Sequence, residues 1–132
     1  MTERTRWSVR YAGAADPAAL SAAIQARLAR VVAEMSGWEA TSDLCHFNRL
    51  PAGESLPLAE GFRTVLAAAL ATAAATDGAF DPTMGALVGL WGFGPQPAAH
   101  EGPPPEALIA AARACDGWQR LAFDAAGALV QP

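Results

Sequence analysis

Apolar and polar positions alternate most regularly near the start of the chain, where Trp7, Val9 and Tyr11 share one face and Arg6, Ser8 and Arg10 the other. That period of two over Thr5–Tyr11 predicts a half-buried first strand. The period then lengthens. Leu20, Ile24, Leu28, Val31, Val32 and Met35 recur at three- and four-residue spacings, the stripe of a helix that buries one side. Asp16-Pro17 supplies an acceptor for its first turn and a proline preset for helical φ, and Ser36-Gly37 ends it. A second helix is predicted to open at Ser55 to Pro57, carry Leu58, Phe62, Val65, Leu66 and Leu70 inward and close at Gly78. Its stretch AAALATAAAT bears mostly methyl groups, so neighbouring backbone can approach closely. A third helix runs from Pro105 to Cys115 with Leu108, Ile109 and Ala112 on one side. Gln119–Phe123 and Ala128–Val130 read as a hairpin whose Gly127 can take positive φ. These elements predict an α+β domain: about three helices and about four short strands in a small antiparallel sheet. So small a sheet would cover those helices poorly, which points to more sheet from a partner chain or from missing sequence.

Two stretches resist this periodicity. Trp38–Leu50 (WEATSDLCHFNRL) is rich in side chains that bond to nearby backbone and reads as a structured loop, with Ser42 and Asn48 satisfying backbone donors and Phe47 plugged into the core. Trp38, just past the Gly37 terminator, is open to two readings: an ordinary interfacial ring, or an exposed indole that stacks on a planar ligand. Gly78–Gly94 (GAFDPTMGALVGLWGFG) predicts a short helix over Pro82–Leu90 with Asp81 as N-cap and Pro82 in the first turn. The start of that helix, beside Ala79 and Phe80, would offer N–H groups and an apolar wall to the polar edge and flat face of a base or flavin. Core and binding surface are compatible roles for this stretch.

The 132 residues make one domain, and 52% hydrophobic with 17% charged residues is globular composition. A formal charge of −4 argues against a general affinity for nucleic acid. All nine basic residues are Arg, so a Schiff-base, P-loop or kinase-type lysine is excluded. Cys45 and Cys115 lie far apart and indicate neither zinc nor a disulfide framework; each reads as a small buried apolar residue. His46 and His100 have no partner at relay or ligand spacing and read as surface or loop-packing residues. Local motifs assign no catalytic residue and no metal ligand. The sequence carries no apolar export segment at its start and no run long enough for a membrane span, so as written the chain reads as cytoplasmic or as one that has lost an export signal.

Met35-Ser36 and Trp38, Ser42 and Leu44, Phe47-Asn48, then Gly78–Thr83 and Leu90–Gly94, together resemble the ApbE family, the FAD:protein FMN transferases once described as thiamine biosynthesis lipoproteins. The resemblance runs from about Thr5 onward and makes residues 1–132 the N-terminal portion of an ApbE-like domain, α+β and related to the tunnelling-fold group. It implies Mg²⁺-dependent phosphoryl transfer, in which FAD is the substrate, its FMN half passes to a threonine hydroxyl of an acceptor protein, and AMP leaves. By the same resemblance Trp38 stands where an aromatic residue lines the FAD site. Ala79, Phe80 and Asp81 match a triplet that contacts FAD, with Asp81 accepting hydrogen bonds from the nucleotide or fixing the loop. The family's L-D-L-G-G-I-A-K-G segment and its metal-binding C-terminal region have no counterpart here, so the Mg²⁺ ligands are expected in a missing C-terminal half and the chain alone is expected to be inactive. The family's opening Met-Gly-Thr is here Glu3-Arg4-Thr5, keeping only the threonine. Family members often work at the cell envelope or periplasm. The competing expectation is a truncated, non-catalytic flavin-binding or assembly module that packs against another chain.

Overall fold

The computed structural model describes residues 7–96, 100 and 102–132. Helix α1 (Pro17–Met35) begins as its cap signal predicts: the Asp16 carboxylate accepts the N–H groups of Ala18 and Ala19 at 3.1 and 3.3 Å. A short helix α2 (Asp43–Phe47) follows, then strand β1 (Ser55–Leu56), helix α3 (Glu60–Ala75) and a second short helix, α4 (Gly85–Leu90). Helix α5 (Glu106–Cys115) leads through a single 3₁₀ turn, Trp118–Arg120, into strands β2 (Ala122–Phe123) and β3 (Leu129–Val130). The architecture is α+β. Helix α2 forms inside the stretch expected to be a loop, α4 is the short helix expected over Pro82–Leu90 but starts only at Gly85, and the described residues hold three strands where about four were expected.

The hairpin forms as its turn signal predicts. Gly127 adopts φ +79°, and Asp124 Oδ1 accepts the N–H groups of Ala126 and Ala128, both at 2.9 Å. Strand β3 is central, pairing antiparallel with β2 (Phe123 opposite Leu129) and with β1 (Leu56 opposite Leu129). Gly53 N–H to Gln131 O and Gln131 N–H to Glu54 O, at 2.9 and 2.8 Å, extend the second pairing. These bonds hold Ser55 in the sheet, which is why α3 starts only at Glu60 and not at Ser55.

Of the expected first strand, Thr5 and Arg6 lie outside the described residues, and Trp7–Tyr11 is not a strand. Alternation makes a strand only where a ladder partner exists, and among the described residues β1 and β2 each pair only with β3. Trp7, Val9 and Tyr11 are accordingly exposed, the Tyr11 hydroxyl donating locally to Ala15 O at 3.0 Å.

The core gathers Phe47, Leu58, Phe62, Leu66 and Leu129, with Met35 and Leu121 partly buried at its edge. It lies where α1, α3 and the sheet meet. The stripe of α1 is only partly used: Leu20 and Ile24 are half-buried, but Leu28, Val31 and Val32 are about half exposed, because α2 and α3 meet α1 near its C-terminal end. Cys45 is half-buried and Cys115 exposed, so neither is the fully buried residue that composition suggested.

Helix α3 has no capping side chain of its own, since its N-cap is Ala59. The acceptor comes from α1: Glu34, 6% exposed, takes the Phe62 N–H on Oε2 at 3.1 Å and the Arg30 Nε–H on Oε1 at 2.6 Å. A Cβ on Gly61 would lie 2.5 Å from Glu34 Oε2, so glycine there leaves room for the carboxylate. At the other end, Asp77 (φ +50°) and Gly78 (φ +78°) turn the chain sharply back, with the Gly78 N–H returned to Ala73 O at 2.9 Å.

Candidate functional site

The turn between α1 and α2 is built by two serines. Ser36 Oγ accepts the N–H groups of Trp38 and Glu39, both at 3.1 Å. Ser42 is fully buried; its Oγ donates to Ser36 O at 2.5 Å and accepts the Cys45 N–H at 3.1 Å, capping α2. Phe47 enters the core as the sequence predicts. The consequence for Trp38 is a fixed backbone under a free ring: its side chain is 72% exposed.

The second loop is tied down at both ends. The Ala79 N–H donates to Thr76 O at 3.1 Å and the Phe80 N–H to Thr76 Oγ1 at 3.2 Å, so these two donors close the end of α3 and are not offered to a ligand. Asp81 does not cap a helix, because α4 begins at Gly85. Its Oδ1 accepts the Thr83 N–H at 2.8 Å and the Thr83 hydroxyl at 2.6 Å, and its Oδ2 accepts the Trp118 N–H at 3.3 Å. Thr83 Oγ1 in turn accepts the Gly117 N–H at 2.7 Å. Burial pushes the Asp81 carboxyl up, but the hydrogen bonds from the Thr83 hydroxyl, the Thr83 N–H and the Trp118 N–H outweigh it and hold the group below its ordinary value. Asp81 is an anion whose first duty is to its own loop.

Gly117, at φ +127°, makes the turn that aims its N–H and the next one at Thr83 and Asp81. Beside it, Trp118 Nε1 is buried with no hydrogen-bond partner among the described residues and lies 3.6 Å from where a Cβ on Gly78 would sit. This partner turn was not among the elements expected from the sequence. Its signal was the Asp116-Gly117 dipeptide, a turn pair that ends α5.

An open groove of about 780 Å³ is floored by core side chains, among them Phe47, Phe62, Leu66 and Leu129. Met35, three residues before Trp38, and Pro82 and Thr83, just after Asp81, line it; Trp38, Ala79, Phe80 and Asp81 do not. The structure thus joins residues 79–81 into one braced loop, with the Phe80 ring 44% exposed, and puts Trp38 on a separate turn at the end of α1. His100 packs in its loop, with Nε2 3.0 Å from Leu90 O and Nδ1 3.1 Å from Gly102 O, and His46 is exposed. Among the described residues no group of three or more His, Cys, Asp or Glu side chains is placed to hold a metal ion, and no helix is long and apolar enough to cross a membrane.

Residues 4–132 match the ApbE family. The FAD:protein FMN transferase of Klebsiella pneumoniae (strain 342) is 38% identical over 122 residues, an alignment covering 91% of this chain and 35% of the relative. The crystal structure of the Pseudomonas stutzeri flavinyl transferase ApbE, apo form, superposes with a TM-score of 0.81 at 37% identity, covering 89% of this chain and 38% of that one. Flavin transferase ApbE from Vibrio cholerae gives a TM-score of 0.83 at 32% identity over 92% of this chain and 39% of that one. The chain therefore spans little more than a third of the length of these relatives.

Proposed function

Because the chain belongs to the ApbE family, we propose that it forms part of the FAD site of an FAD:protein FMN transferase. In that reaction a threonine hydroxyl of the acceptor protein attacks the phosphorus on the FMN side of the FAD pyrophosphate. The bond to the bridging oxygen breaks, AMP leaves with that oxygen, and FMN remains on the threonine as a phosphoester. Trp38, Ala79, Phe80 and Asp81 are the residues we assign to FAD, Trp38 and Phe80 as apolar faces and Asp81 through the loop it fixes. The described residues do not fit Mg²⁺, since they gather no carboxylate cluster; its ligands, and the base that takes the threonine proton, belong to polypeptide other than residues 7–96, 100 and 102–132. The observation that carries this reading is the continuous family match over residues 4–132.

The test is titration of FAD into the 132-residue chain, followed by quenching of flavin fluorescence. Weak saturable binding is expected. Trp38→Ala is expected to weaken it while leaving the unfolding midpoint unchanged, since a largely exposed ring contributes within about 0.5 kcal/mol of stability. No binding, or equal affinity in the variant, refutes the assignment.

The open groove favours a second reading, a binding or assembly module that presents core side chains to other polypeptide. Equilibrium sedimentation separates the two. A defined oligomer whose mass is indifferent to FAD supports the module, whereas an FAD-dependent change supports the transferase site.

A further inference from the structure

We infer that Thr83 is a positioning residue for the Ala79–Asp81 loop, which it sets in place through the turn at Gly117 and Trp118. The flavin reading supplies the ligand for this inference; the geometry stands without it. A threonine hydroxyl has one proton and two lone pairs. Here the proton goes to Asp81 Oδ1 (2.6 Å) and a lone pair takes the Gly117 N–H (2.7 Å), while Asp81 Oδ2 takes the Trp118 N–H (3.3 Å). The two side chains thus form a double tie between segments more than thirty residues apart. Both carboxylate oxygens already accept hydrogen bonds, so little of Asp81 is left for a ligand. The same ties decide where Phe80, one residue earlier and 44% exposed, holds its ring. The turn pairs Gly117, which tolerates φ +127°, with an indole packed near Gly78 at the start of the loop. Among the described residues, the long-range hydrogen bonds that hold the loop all run to the segment between α5 and β2, and its local ones to Thr76 at the end of α3.

The experiment compares the wild-type chain with Thr83→Val, which keeps the shape and removes the hydroxyl, and Thr83→Ser, which restores it. Amide chemical shifts and hydrogen exchange are followed at Phe80, Asp81, Gly117 and Trp118, and FAD affinity is measured alongside. Thr83→Val is expected to speed exchange at Gly117 by about tenfold, to shift the Phe80 and Asp81 amides, and to weaken FAD binding by about fivefold, the scale set by losing one or two hydrogen bonds. Thr83→Ser is expected to return all three to wild type. Asp81→Asn, which keeps an oxygen for Thr83 but turns an NH₂ toward the Trp118 N–H, gives an independent route to the same shifts if Thr83→Val fails to fold. Unmoved Phe80 and Asp81 amides overturn the inference whatever FAD does. So does a loop that moves without any change in FAD affinity. A wild-type chain that does not bind FAD sinks the flavin reading instead, and the amide shifts then decide whether Thr83 positions the loop.

Discussion

Glu34 is a helix cap supplied from a distance, and removing it should show how much of the α1–α3 packing depends on one carboxylate. Glu34→Ala leaves the Phe62 N–H buried without its acceptor, which costs about 1.5–3 kcal/mol for a bond to a charged group. Loss of negative charge at the start of α3 adds up to about 1 kcal/mol. The Arg30 pair adds little, because its guanidinium is half exposed, where ion pairs count for little. The expected loss is therefore about 2–4 kcal/mol. Gly61→Ala probes the same contact from the other side. Alanine is the better helix former by up to about 1 kcal/mol, yet its Cβ would lie 2.5 Å from Glu34 Oε2 and must displace the carboxylate. Alone it should destabilise by about 1–2 kcal/mol; in the Glu34→Ala background the obstacle is gone and it should stabilise by up to about 1. Urea unfolding followed by far-UV circular dichroism measures all four corners of this cycle. Coupling of about 2 kcal/mol is expected, and additivity to within about 0.5 kcal/mol, the behaviour of independent sites, refutes the cap.

Acid should loosen the two turns that carboxylates hold. The Asp124 carboxyl lies below its ordinary 3.8 because of the Ala128 N–H, then the Ser55 side chain, burial opposing, and finally the Ala126 and Gly127 N–H groups; Asp81 lies below 3.8 for the reasons given above. The unfolded chain then binds more protons, so this contribution is complete above 3.8 and disappears as pH falls through the folded values. Urea midpoints taken between about pH 6 and about pH 2 should fall less steeply for Asp81→Asn and Asp124→Asn than for wild type; parallel slopes would count against the linkage. Ser42→Ala should cost about 1–3 kcal/mol in the same unfolding assay by leaving Ser36 O and the Cys45 N–H without their buried partner, and a neutral result would mean that water replaces the hydroxyl.

What could be read from the sequence was what is local. Asp16-Pro17 and Gly127 act within a few residues of themselves, and the helix and hairpin they announce are present. The failures of the expected starts at Ser55 and Asp81 share a cause in long-range contacts: chain far away draws on each residue, although Asp81 also bonds locally to Thr83. Ser55 is drawn into pairing with Val130, and Asp81 into bonds with Thr83 and Trp118. The true cap of α3 sits on α1, at a spacing that no local pattern encodes. Candidate site residues were legible as motif positions, Trp38 and residues 79–81. The Gly117 turn that braces the second loop carried only a two-residue turn signal, far from the loop it serves.

The order of strands has a consequence for synthesis. Strand β3, the middle rung of the sheet, is translated after α1–α5 and after both of its neighbours. Until Leu129 leaves the ribosome, Phe47, Phe62 and Leu66 wait without the side chain that completes their cluster, and at about 5–20 residues per second that interval lasts seconds. A nascent chain in that state presents a greasy face to chaperones, so slowing translation downstream of α3 should lengthen its dependence on them.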